Sequence, residues 1–87
     1  MASKAIQDRN ASYNLKAVEG QKVVANREIT RYQPVDGNWD NMEPVTIAEG
    51  ETVTIVFRSD AGFNGIVLGV RKADGTFVPG VTAAAFL

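Results

Sequence analysis

Apolar and polar residues alternate with a period of two along most of this chain, which is the pattern of half-buried β-strands. Val53, Ile55 and Phe57 point one way, while Thr52, Thr54 and Arg58 point the other with Val56. Ile66, Leu68 and Val70 share a face opposite Val67, Gly69 and Arg71, and Tyr13, Leu15 and Ala17 form a third apolar row. With Val23, Val45, Ile47 and Val81 these rows make the expected core; Val56 and Val67, on the reverse faces, suggest a second, smaller buried surface. The pattern predicts strands over residues 12–18, 21–33, 43–48, 51–58, 65–72 and 76–83, with longer loops at 36–42 and 59–64.

Four acidic-Gly dipeptides, Glu19-Gly20, Asp36-Gly37, Glu49-Gly50 and Asp74-Gly75, punctuate these segments as tight turns would. No segment of helical length carries apolar residues at three- and four-residue spacing, so helix is limited to a turn or two near the start. The expected fold class is all-β, a small antiparallel β-sandwich or barrel of about six strands. Residues 11–87 form its single domain, with an apolar C-terminal tail, and residues 1–10 precede it as an N-terminal arm.

Register fixes the turn lengths. A two-residue loop at Glu49-Gly50 would set Val45 against Thr54, whereas a three-residue loop, Ala48-Glu49-Gly50, sets Val45 opposite Val53 and calls for a positive φ at Gly50. At Asp74-Gly75 a two-residue type I′ turn aligns Leu68 with Val81 and Val70 with Pro79. Because Pro79 has no N–H to give a ladder, the last strand is expected at a sheet edge or bulged there.

Composition narrows the function. At 87 residues there is room for one domain, and nine Lys and Arg against ten Asp and Glu leave no field for a phosphate backbone. Nucleic acid is therefore not expected as a partner. The chain has no Cys and no His, which removes disulfides, thiolate metal sites, the usual zinc ligand and every Ser-His or Cys-His nucleophile. Neither a signal peptide nor a membrane-spanning window is visible, so the chain is expected to be made in the cytoplasm, off membranes, with the Asn10-Ala11-Ser12 sequon a chance match.

Candidate chemistry is sparse. Asp36, Asn38 and Asp40 stand at alternate positions, as in the start of a calcium loop, but the sixth position is Asn41 rather than Gly and the twelfth is Ile47 rather than Glu. The stretch through Glu43 reads instead as a polar connection whose side chains bond their own turn backbone, and no metal or other cofactor is expected. Gly62-Phe63-Asn64-Gly65 has no Lys-Ser/Thr after it and is no phosphate loop; Gly69 marks a bulge or a close approach. The carboxylates sit mostly in turns, with little chain to build a cleft around them, so an enzyme is not expected. Arg27 and Arg31 share a face with Val23, Ala25 and Ile29, as if a strand ran past the edge of the core.

The residues left over suit a contact surface. Trp39, the only Trp, is read as a lid over one end of the core or as an anchor for a partner, with Tyr32 nearby. An unpatterned arm cannot offset its own ordering, and the tail ends in Phe86 and Leu87. The candidate partner-binding residues are Ile6, Tyr32, Trp39, Phe86 and Leu87. The expected function is a non-catalytic assembly module that binds a protein partner or further copies of itself, as a viral capsid decoration or cement subunit would in a virion. The alternative is a carbohydrate- or peptide-binding module built on Trp39 and Tyr32.

Overall fold

A computed structural model describes residues 4–87; residues 1–3 of the arm lie outside the described part. Helix α1 (Lys4–Ser12) is followed by strands β1 (Lys22–Val24), β2 (Ile29–Val35), β3 (Asn38–Ile47) and β4 (Thr52–Asp60). A 3-10 turn at Gly62–Asn64 leads to β5 (Ile66–Arg71) and β6 (Phe77–Thr82), and a second 3-10 turn, Ala83–Phe86, ends the chain. The fold is mostly β, in two antiparallel sheets: one of four strands, ordered β1-β4-β5-β6, and a ribbon of β2 with β3. The larger sheet has β1 and β6 as open edges, so the sheets do not close into a barrel.

The alternating rows of β4 and β5 do become the core, whereas the third row does not hold together: Ala17 is buried, Leu15 packs against the core and Tyr13 is exposed. Val23, Val53, Ile55, Ile66, Leu68, Val70, Val78 and Val81 are buried from the large sheet, joined by Ile47 from the ribbon. Each such side chain withdrawn from water contributes about 2 kcal/mol. Two bulges interrupt the rows. On β4 the register shifts between Ile55 and Phe57, leaving Val56 half-buried and turning Phe57 out of the row it was expected to share. On β6 a shift between the partners of Leu68 and Val70 falls at Pro79 and Gly80, with Gly80 at φ 71°. β6 is thus both an edge and bulged, as its proline demands.

Several expectations are corrected. Residues 12–18 form no strand: Ser12 ends α1, a nine-residue helix with too few apolar side chains to show a period. The expected strand 21–33 is broken at residues 25–28: Ala25 still follows the register of β1 onto the residues before β4, and Asn26 turns to the tail. The Ala25 N–H donates to Glu51 O at 3.0 Å, the Asn26 N–H to Ala85 O at 2.7 Å, and Asn26 Nδ2 to Ala84 O at 2.8 Å. The chain leaves the large sheet there and starts the ribbon.

The turn assignments exchange places. Asp36 (φ 51°) and Gly37 (φ 76°) both take positive φ, making the two-residue primed turn that sets Val35 opposite Asn38. The expected loop 36–42 is therefore a hairpin. At Asp74-Gly75 the loop has three residues: Lys72 O accepts from Gly75 N at 2.9 Å, and Lys72 N donates to Thr76 O at 2.8 Å. Leu68 does face Val81, but Val70 faces Val78 rather than Pro79. Val45 does not face Val53, since β3 never pairs with β4: Val45 lies opposite Arg31, and Val53 opposite Val23. Ala48-Glu49-Gly50 instead carries the chain from one sheet to the other, and Gly50 has the expected positive φ, 85°.

The tail completes the core. Ala83, Ala84, Ala85 and Phe86 are buried, and α1 lies against them. Ser12, wholly buried, ties the end of α1 to the start of β5.

Candidate functional site

The ribbon β2–β3 meets the rest of the molecule at its base and along one face. Ile29 and Val45 pack on the core, and Gln33 Nε2 donates to Phe77 O at 3.0 Å. Lys72 Nζ, from the turn after β5, donates to Thr46 O. Directly opposed residues of an antiparallel pair share a face. The pairs Ile29–Ile47, Arg31–Val45 and Gln33–Glu43 therefore make the inner face, and Thr30–Thr46, Tyr32–Pro44 and Pro34–Met42 the outer one.

That outer face begins with the two threonine hydroxyls, 3.1 Å apart, and becomes apolar toward the tip. Tyr32 is 68 % exposed and Met42 40 %, with Pro44 exposed and Pro34 half-buried. Between Pro34 and Val35 the register jumps, so Trp39, Asp40 and Asn41 bulge from β3 without partners on β2. Trp39 stands on this bulge at 75 % exposure. It is no lid, since most of its surface is open to solvent and it is absent from the buried core.

The other sequence candidates fall elsewhere. Ile6 is exposed on α1 and Leu87 exposed at the end of the chain, while Phe86, at 5 % exposure, belongs to the chain's own core. The structure thus joins Tyr32 to Pro34, Met42 and Pro44 on one face, near Trp39, and leaves Ile6 and Leu87 off the ribbon. Met42 was missed because residues 36–42 read as a loop, and Pro34 and Pro44 because their places beside Met42 and Tyr32 follow from a strand pairing that alternation does not show. A primed turn at Asp36-Gly37 by itself sets Pro34 against Trp39 and Tyr32 against Asn41; the three-residue bulge at Trp39, Asp40 and Asn41, which no alternation signals, brings Tyr32 opposite Pro44 and Pro34 opposite Met42.

Polar groups near the tip serve the backbone. Asn38 Oδ1 accepts the Asp40 N–H at 3.0 Å, the self-bonded turn expected of this stretch. Among the described residues no group of three or more His, Cys, Asp or Glu could hold a metal ion. Asp60 accepts from Gly62 N at 2.9 Å, and Asp74 from Thr76 N at 2.9 Å. The Thr76 side-chain and backbone bonds hold the Asp74 carboxyl below its ordinary pKa. Glu51 accepts from Ala48 N and pairs with Lys72 at 3.6 Å, and Asp8 pairs with Arg27 at 2.8 Å. These carboxylates cap turns or hold cations. Among the described residues no helix is long and apolar enough to cross a membrane. No protein-family model, curated protein or solved structure matches the chain.

Proposed function

We propose that this chain is a non-catalytic assembly module whose β2–β3 ribbon docks on a protein partner, with the ribbon stacked on the large sheet as one layer of a small open sandwich. One observation carries the reading. The ribbon's outer face and tip expose Tyr32, Met42, Pro44 and Trp39 on one short hairpin. Large apolar groups clustered on a protruding element mark contact sites, and Tyr and Trp are the side chains that most often anchor them. Within this class, a short, cysteine-free, mostly β chain suits a capsid decoration or cement subunit, an inference from class resemblance alone.

The test is co-sedimentation of the purified chain with particles of the major structural protein encoded beside its gene, with sedimentation velocity of the chain alone. The Tyr32→Ser/Trp39→Ser double variant is expected to stay folded and to bind at least about 30-fold more weakly, as loss of a central aromatic anchor does. Equal binding by the double variant and the parent refutes the ribbon as the contact. A parent that remains monomeric, ignores particles and shifts its Trp emission on glycan addition supports the carbohydrate-binding alternative instead.

A further inference from the structure

On the ribbon's other side a cleft of about 450 Å³ opens between α1, β2 and the β5–β6 edge. Its volume lies in the range of small-ligand sites. Arg9 lines one wall and Arg31 another, over a floor that includes Val67 and Val81. Both guanidiniums are braced by uncharged surfaces rather than by carboxylates. The Arg9 guanidinium lies 5.4 Å from the centre of the Phe63 ring. Arg31 lies across Gly80, its Nη2 only 3.2 Å from where a Cβ would stand, so a side chain there would displace it.

No described ion pair or side-chain hydrogen bond engages either group. The ion pairs among the described residues are Arg27–Asp8 and Lys72–Glu51. Asp8, which also lines the cleft, is already held by Arg27 at 2.8 Å, so its charge does not offset the pair. A chain of net charge −1 thus lines one opening with two guanidiniums and one carboxylate that Arg27 already holds. Arginines with braced planes and open N–H edges match the forked geometry of carboxylate and phosphate oxygens.

From this arrangement we infer that the cleft binds a small organic oxyanion, its carboxylate or phosphate bridging Arg9 and Arg31 and its carbon skeleton lying on Val67 and Val81. This site is separate from the outer face of the ribbon and does not depend on that face docking a partner.

The experiment is an NMR titration of the full chain, following backbone amides and arginine Nε–H signals, with glutarate in one arm and inorganic phosphate in the other. Saturable shifts centred on Arg9, Arg31 and Gly80 are expected in at least one arm. Glutarate alone marks a carboxylate site, phosphate alone a phosphate site, and response in both a general oxyanion site. Arg9→Gln and Arg31→Gln should each weaken binding about tenfold, as loss of a charge-assisted hydrogen bond does, while Arg58→Gln leaves it unchanged. Retained amide dispersion shows that each variant is folded. No saturable shift in either arm overturns the inference, as does equal weakening by Arg58→Gln, which would mark bulk screening.

Discussion

The hydroxyl of Ser12 accepts the backbone N–H of Ile66 at 2.8 Å and donates to the carbonyl of Arg9 at 2.6 Å, joining the end of α1 to the start of β5. Both partners are backbone, and Ser12 is wholly buried. Ser12→Ala would leave the Ile66 N–H without that acceptor, a loss of about 1–3 kcal/mol. The approach is so close that a Cβ on Gly65 would come 2.5 Å from the Ser12 oxygen, leaving little room for a replacement water. Urea unfolding should show a lower midpoint at unchanged slope. An unchanged midpoint would mean that α1 is not docked through this bond.

Gly69 predicts a second loss with a specific rescue. The Phe57 ring lies flat over it, and a Cβ there would sit 2.7 Å from Phe57 Cζ and nearer still to the ring edge. Gly69→Ala should destabilise the fold by about 1–3 kcal/mol, as overpacking does. In a Phe57→Ala background the same change should cost much less, because the ring that clashes is gone. Additive losses in the double-mutant cycle would contradict the contact.

Phe86 and Leu87 separate the tail's two roles. Phe86 is buried and Leu87 is 51 % exposed. Phe86→Ala should cost about 3–5 kcal/mol, a large part of the stability of a domain this small. Leu87→Ala should stay within about 0.5 kcal/mol of the parent in the same thermal unfolding series. Comparable melting of both variants would show that the tail is not part of the core.

These contrasts show what the sequence could and could not carry. Period-two alternation located the core rows of β4 and β5, and the proline of β6 marked its edge and bulge, because both effects act over one or two neighbouring residues. Pairing partners were another matter. The alternation of Val45 and Val53 is the same whether β3 turns back on β4 or crosses to another sheet, and the choice rests on contacts distant in sequence, such as the pairing of β1 with β4 and the bonds of Asn26 to the tail. α1 is held by Ser12 and by the tail rather than by an apolar stripe, so periodicity had nothing to register. For the same reason Phe86 looked like an offered contact when it was a core residue. Trp39 and Tyr32 stood out by residue type alone, but the face beside them depends on a primed turn assigned to the wrong dipeptide and on a three-residue bulge that no alternation marks.

The last prediction concerns Asp74 in the β5–β6 turn. The Thr76 side chain is the main cause of its lowered pKa, followed by the Thr76 backbone N–H, with Lys72 adding a smaller attraction. A folded-state pKa below the ordinary 3.8 means that the carboxylate favours the turn above that pH, and that the benefit fades as pH falls through the lower, folded value. The group is fully exposed, so the readout is its own titration rather than the melting temperature. Following the Asp74 carboxyl carbon by NMR from neutral pH downward should give a midpoint below 3.8. Thr76→Val removes the hydroxyl but keeps the N–H, so the midpoint should climb only part of the way back. A midpoint that does not move would assign the shift to the backbone bond and Lys72, and a parent midpoint at or above the ordinary value would show that the turn does not hold Asp74 in this geometry.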